Sequence, residues 1–181
     1  DSEARPLDDF ALASRLSFFL WSRLPDDTLL EVAKEQRLND PEVLAQQTRR
    51  MLQDPRSEAL VENFVGQWLE LRLFGGLAPD PDLFPTFDDA LREAMVGETK
   101  AYFRSIIRND DSVLELLDSD YTFVNGRLAR HYGITGVDGQ EFRRVRLDDN
   151  RRGGILTHAS ILTLTSNPTR TSPVERGKWI I

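Results

Sequence analysis

Cysteine is missing from all 181 residues, and that absence removes several chemistries at once. No disulfide, zinc–thiolate site, thiol nucleophile or thioether-attached c-type haem can be built within the chain. Histidine is scarce, with only His131 and His158, 27 residues apart. Neither an HExxH motif nor a Glu-x-x-His pair accompanies them, so the sequence carries no metallohydrolase signature and no metal site is expected. The Gly-x-Ser-x-Gly turn of serine hydrolases is absent. No apolar run approaches the roughly 20 residues that cross a bilayer, and Leu16–Trp21 is too short even for the core of a signal peptide. Lysine is nearly absent as well: 20 of the 23 basic residues are arginine, which reads as compositional bias before it reads as an arginine-specific site.

What is present suffices for a folded core. A chain of this length forms one domain or two small ones and buries roughly two-thirds of its unfolded surface. The apolar fraction is 40% and the charged fraction 29%, which places it among globular proteins. The charge is unevenly spread. Residues 1–126 hold 13 Lys/Arg against 25 Asp/Glu, and residues 127–181 hold 10 against 5, nets of −12 and +5 that recover the total of −7. An acidic helical layer docked on a basic C-terminal segment accounts for this, as does a basic segment facing an anionic ligand or partner. Nucleic acid is disfavoured, because the chain is acidic and has no basic stripe interleaved with aromatics.

Helical spacing dominates the chain. Phe10, Ala13, Leu16, Leu20 and Leu24 predict one buried helix over 8–24, and Pro25-Asp26-Asp27 breaks it and opens a second. Asn39-Asp40-Pro41 has the cap-and-proline chemistry of a third start. Asp54-Pro55 repeats it, and Leu60, Val61, Phe64, Val65, Trp68, Leu69 and Leu71 predict a long amphipathic helix that Gly75-Gly76 ends. Three prolines between 79 and 85 impose a structured loop. Thr86 is expected to cap the next long helix, and shorter ones follow over 112–117 and 125–132, the latter stopping at Gly133. The alternating run 142–147 reads as a strand or extended arm, and 155–162 as a helix. Ser172-Pro173-Val174-Glu175 is a capping box that begins a final helix. That helix shows no stop signal and Asp1 is equally abrupt, so both ends read as limits of a fragment. The fold class is thus mainly α: an acidic helical bundle over 1–133 and a basic, partly extended module over 134–181.

Two places gather chemistry. In the stretch 165–176, Ser166, Asn167, Arg170, Thr171, Ser172 and Arg176 combine hydroxyls, an amide and two arginines beside a helix start. This set suits a carboxylate, a phosphate or a haem propionate. It also suits a well-capped turn whose arginines pair with acids elsewhere, with Glu175 itself at the helix N-terminus. The loop 78–89 offers Asp80, Asp82, Asp88 and Asp89, enough oxygen for calcium but without the glycine and terminal glutamate of an EF-hand. His131 reads first as a charge at a helix C-terminus and second as an axial ligand for a haem carried by a neighbouring segment.

The strings ALASRLSFFLWSRLPDD (11–27), RRMLQDPRSEALVENFVGQWLELR (49–72), DYTFVNGRLARHYGI (120–134) and RRGGILTHASILTLTSNPTRTSPVERGKW (151–179) resemble the adjoining modules of unknown function in planctomycete cytochrome-associated paralogous proteins. The resemblance spans nearly the whole chain. It implies a large, exported, multi-domain parent in which a c-type haem is attached in adjacent segments and none is held here. It implies no assigned activity. The leading expectation is a haem-free scaffold or docking module, with the turn 165–176 and the basic arm 143–152 facing the neighbouring haem segment or a redox partner. The alternatives are part of an extracytoplasmic hydrolase or oxidoreductase completed by other domains, favoured by a pocket gathering His131, Arg170 and several carboxylates, or a carbohydrate- or ion-binding module at 78–89.

Overall fold

A computed structural model describes residues 7–148 and 152–180. Among the described residues the architecture is mainly α, with one long helix, several short ones and two small two-stranded sheets. By internal contacts the chain divides between Phe64 and Val65.

The first unit is built on capped helices α1 (Asp9–Trp21), α2 (Asp27–Lys34) and α3 (Pro41–Gln53). The aspartate before each supplies its cap: Asp8, Asp26 and Asp40 accept from backbone N–H groups of the first turn. Such a cap contributes about 1 kcal/mol per helix. α1 stops at Trp21, with Ser22 in the left-handed region at φ 53°. The apolar face differs from the expected one, since Phe10 and Leu24 are exposed and the buried residues are Ala13, Ser17, Leu20 and Trp21. Leu29, Ala33, Leu38 and Met51 complete this core.

The long amphipathic helix expected after Asp54 is not one helix. A 3₁₀ turn (Pro55–Ser57) leads into a π-helical stretch (Leu60–Val65), a single α-turn α4 (Gly66–Trp68) and a second 3₁₀ segment (Leu71–Gly76). The wider π register shifts the apolar residues off a single stripe, and Glu70 at φ 58° ends the α-turn. Phe64 and Trp68 are consequently exposed, while Val65, Leu69 and Leu71 are buried.

In the second unit the 21-residue α5 (Asp89–Asn109) is the axis, about 30 Å long at 1.5 Å per residue. Its cap is Asp88, not Thr86: the Asp88 carboxylate accepts from Leu91 N–H at 2.7 Å, and the Thr86 carbonyl accepts from Arg127 instead. The C-terminal half of α5 places Tyr102, Phe103 and Ile106 in a cluster with Val65, Leu69 and Ile161. The N-terminal half places Leu91, Ala94 and Met95 with Phe74, Val124 and Leu128. A 3₁₀ turn (Val113–Leu116) follows, and then β1 (Tyr121–Val124), which the sequence pattern did not reveal. It pairs antiparallel with β2 (Arg143–Arg146), within the run 142–147 read as a strand or extended arm, with Tyr121 opposite Arg146. Between them α6 (Gly126–Tyr132) is capped by Asn125 and closed by Gly133 at φ 74°. The helix expected over 155–162 is interrupted at His158, giving a 3₁₀ turn (Ile155–Thr157) and α7 (Ala159–Leu164). The hairpin β3 (Ser166–Asn167) and β4 (Arg170–Thr171) leads into α8 (Pro173–Ile180). Part of the basic arm, 149–151, and the two terminal residues Asp1 and Ile181 lie outside the described residues.

Candidate functional site

The second unit holds a cavity of about 380 Å³, at the small end of the roughly 300–1,000 Å³ range of ligand pockets. One wall is the proline-rich loop, through Leu77, Pro79, Phe84 and Phe87; Leu91 and Met95 of α5 and Ala159 and Leu162 of α7 add apolar surface. The remaining wall is the 165–176 turn with Arg152 and His131.

The loop is held from several sides, which pre-forms the cavity. Arg92 donates to the carbonyls of Phe74 and Leu77 at 2.7 and 2.8 Å, and its guanidinium lies 4.9 Å from the Phe87 ring centroid. Arg127 bonds the Thr86 carbonyl and the Asp88 carboxylate. Asp80 N–H donates to the Pro168 carbonyl at 3.0 Å, tying the loop directly to the β3–β4 turn. Asp80 also closes its own turn by accepting from the N–H groups of Asp82 and Leu83. The aspartates considered for calcium are thus engaged locally: Asp80 and Asp88 accept backbone N–H groups, and Asp89 pairs with Arg92 at 3.5 Å. Among the described residues no group of three or more His, Cys, Asp or Glu side chains converges as a metal site.

Of the residues singled out in the sequence, Ser166, Asn167, Arg170, Thr171, Arg176 and His131 all line this cavity. Ser172 does not; its hydroxyl caps α8 by accepting from Glu175 N–H at 3.2 Å. Glu175, in the first turn of α8, pairs with Lys178 at 3.1 Å and does not line the cavity. Ser166 donates to the Leu162 carbonyl at 2.6 Å. Arg176 reaches Thr165 Oγ1 at 3.3 Å. Arg152 donates to the Thr157 carbonyl at 2.9 Å and stacks 3.8 Å from the Tyr132 ring centroid. Among the described residues neither Arg152, Arg170 nor Arg176 forms an ion pair, and the cavity lining contains no carboxylate. In a chain of net charge −7, Arg170 and Arg176, with Arg152 that also faces the buried Glu98, make a local anion-attracting field around a cavity without a carboxylate in its wall. His131 lines the cavity while keeping an exposed surface. Partial burial first, then the neighbouring charges of Arg152 and Arg127, hold its pKa below the usual 6.5, so the imidazole is neutral at pH 7.

Arg152 belongs to the basic arm 143–152 expected to face a partner but was not singled out by itself, and the apolar wall was not expected. The Arg-Arg-Gly-Gly string and the Phe-Pro content of the loop were visible, but nothing in sequence spacing joins residues 77–87 to 152–176.

Arg152 also borders a buried polar cluster. Glu98, 1% exposed, accepts from Thr122 Oγ1 at 2.7 Å and from the Tyr132 hydroxyl at 2.5 Å. Tyr132 in turn accepts from Ala159 N–H at 2.9 Å. Burial pushes the Glu98 carboxyl up to about 7 against the lowering effect of these bonds. His158, also buried, exchanges a hydrogen bond with Thr99 Oγ1 at 3.0 Å and packs edge-on to Tyr102; burial and then Arg152 hold it down at about 3. It is a neutral core histidine.

No curated protein and no solved structure matches the chain significantly. Its last 30 residues, 152–181, which contain the cationic wall of the cavity, match PSCyt3, described as a protein of unknown function (DUF1588). Residues 7–134, most of the chain and with them the proline-rich loop, α5 and α6, match PSD4, likewise described as a protein of unknown function (DUF1592), and the chain belongs to that family.

Proposed function

We propose that this chain is a non-catalytic docking module of an exported, cytochrome c-associated multi-domain protein, and that its cavity receives an anionic group from a neighbouring segment or redox partner. The observation that carries this reading is the convergence of Arg152, Arg170 and Arg176 on one cavity with no carboxylate in its wall. Charge-assisted bonds from guanidinium groups are the strong, directional way to hold a carboxylate. The absence of acidic residues from that wall also favours binding over hydrolysis. His131 and Arg170 meet there as a hydrolase would need, but the carboxylate pair that would share the proton transfers does not.

The family names, with the resemblance to cytochrome-associated proteins, support a haem-bearing neighbour. With no cysteine, the chain offers no thioether attachment. Its residues fit the outside of a haem: the arginines suit propionates, and the neutral imidazole of His131 suits an axial position. A bound haem would supply one-electron transfer; the residues here would only hold and orient its edge. The basic arm is partly committed elsewhere, since Arg144 stacks on Tyr121 at 3.7 Å and Arg146 pairs with Asp120 at 3.2 Å.

The test is to express the chain alone and joined to its natural downstream segment, each with and without Arg170→Glu and Arg176→Glu. Linkage is expected to raise the module's Tm and shift the haem potential, and the double variant to remove both effects. If Tm and potential are indifferent to linkage, the docking reading fails.

A further inference from the structure

We infer that the cavity is a small-molecule site for an amphiphilic monocarboxylic acid, one with an aromatic or branched apolar body and a single anionic head. The inference rests on the anion reading above and adds what the anion is attached to.

A bare anion would leave much of the cavity wall without a partner. Phosphate or acetate bound by the arginines would leave Leu77, Phe84, Phe87 and Leu162 partly facing water in a concave space floored by the buried Leu91 and Met95. Apolar concave surface of that kind marks a ligand body, because covering it returns roughly 25 cal/mol per Å². The cationic side is equally incomplete without a ligand. Arg170 is exposed on β4 and has no described side-chain partner, whereas Arg152 and Arg176 are each oriented by a bond to the protein, to Thr157 O and Thr165 Oγ1. Two guanidinium groups held by the scaffold and a third, exposed one on the same wall supply the head-group contacts. The polar groups beside them, Asn167 and Thr171, can complete the solvation of one carboxylate.

Size sets the upper bound. About 380 Å³ accommodates a body of one aromatic ring and a short chain, and not a whole macrocycle. The walls are also fixed before binding, by Arg92 and Arg127 on the loop and by the Asp80–Pro168 bond across to the turn. A pre-formed pocket spares the ligand an ordering cost, so a small acid can bind measurably.

The same chemistry could come from the propionate-bearing edge of a porphyrin, and the experiment separates the two sources. The intact chain is titrated by calorimetry with phenylpropionate, its neutral amide, acetate, inorganic phosphate and protoporphyrin, with amide chemical shifts locating each site. Phenylpropionate is expected to bind at the cavity roughly tenfold or more tighter than the amide, acetate or phosphate, the factor one lost charge-assisted or apolar contact gives. Arg170→Gln, at an exposed position, is expected to weaken the acid by roughly tenfold and leave the amide unchanged. Leu162→Trp is expected to abolish binding by filling the apolar part, and Leu162→Phe serves if Leu162→Trp does not fold. Phosphate or acetate binding as tightly as phenylpropionate would overturn the amphiphile assignment and leave the anion reading standing. Equal binding of acid and amide, or no binding by any of these, would overturn both. Protoporphyrin binding more tightly than phenylpropionate and displacing it would assign the cavity to a haem edge instead.

Discussion

Asp26 shows how much one short side chain organises. It caps α2 by accepting from Leu29 N–H at 3.1 Å, and it receives Arg50 through two bonds of 2.8 and 3.0 Å and Arg56 through one of 3.2 Å. Arg56 in turn lies 3.5 Å from the ring centroid of Trp21, whose indole N–H donates to the Met51 carbonyl at 2.9 Å. The arginines hold the Asp26 carboxyl below its usual range, the Arg50 bond acting most, and Arg56 draws Asp54 down to about 2. Asp26→Ala is therefore expected to cost roughly 2–3 kcal/mol, from the lost cap and the lost charge-assisted bonds together. Asp26→Asn keeps the cap and is expected to cost about half as much. Urea denaturation of the two variants decides this: equal losses would mean that the cap contributes nothing and the arginines everything.

At the level of elements, glycine separates two kinds of constraint. Gly154 sits at φ 64°, and a Cβ there would lie 2.5 Å from the Leu117 carbonyl carbon and oxygen, so backbone would have to move. Gly154→Ala is expected to lose roughly 2–4 kcal/mol. Gly177, inside α8 with nothing within 4 Å of an added Cβ, is the opposite case, and Gly177→Ala is expected to gain about 0.5–1 kcal/mol. Thermal melts showing the same sign for both would refute this. Caps were legible at Asp40-Pro41, Gly133 and Ser172-Pro173, although Asp88 and not the expected Thr86 caps α5. What spacing could not disclose were register changes inside a helical pattern. The π stretch at Leu60–Val65 keeps helical composition while moving Phe64 and Trp68 outward. β1 was invisible because Tyr121–Val124 is four residues long and becomes a strand only through pairing with β2. The site divides the same way. The turn 165–176 is contiguous in sequence, so its residues could be grouped from the sequence, while the apolar wall and Arg152 join them in one cavity through tertiary contacts alone.

For the molecule as a whole, two buried groups with opposite titrations make stability a compound quantity. Glu98 has a folded pKa of about 7 against 4.5 unfolded. The folded state therefore keeps a proton the unfolded chain has lost, and stability falls as pH rises from 4.5 to 7. His158 has a folded pKa of about 3 against 6.5. The unfolded chain takes up a proton the folded state refuses, and stability falls as pH drops from 6.5 towards 3. Over the shared window the slopes oppose, each at about 1.4 kcal/mol per pH unit. His131, also shifted down, adds in the direction of His158. The charges facing Glu98 are few: Arg152, with the hydroxyls of Tyr132 and Thr122 as its partners. The intact protein is accordingly expected to show a nearly flat stability profile between pH 4.5 and 6.5, with cancellation concealing both groups. Glu98→Gln removes one arm and is expected to expose a profile rising with pH by roughly 2–3 kcal/mol across the window. His158→Asn keeps a hydrogen-bonding atom towards Thr99 and is expected to expose the reverse, a profile falling by a similar amount. Guanidinium titrations at half-unit pH steps give all three curves, and slopes of the same sign in the two variants would show that the buried pair does not govern the profile. Because Arg152 borders both Glu98 and the cavity, the same curves measured with phenylpropionate present carry further content. An anion drawing on Arg152 weakens the charge that lowers Glu98, so Glu98 is expected to hold its proton to higher pH in the bound protein, and the Glu98→Gln variant to show no such displacement.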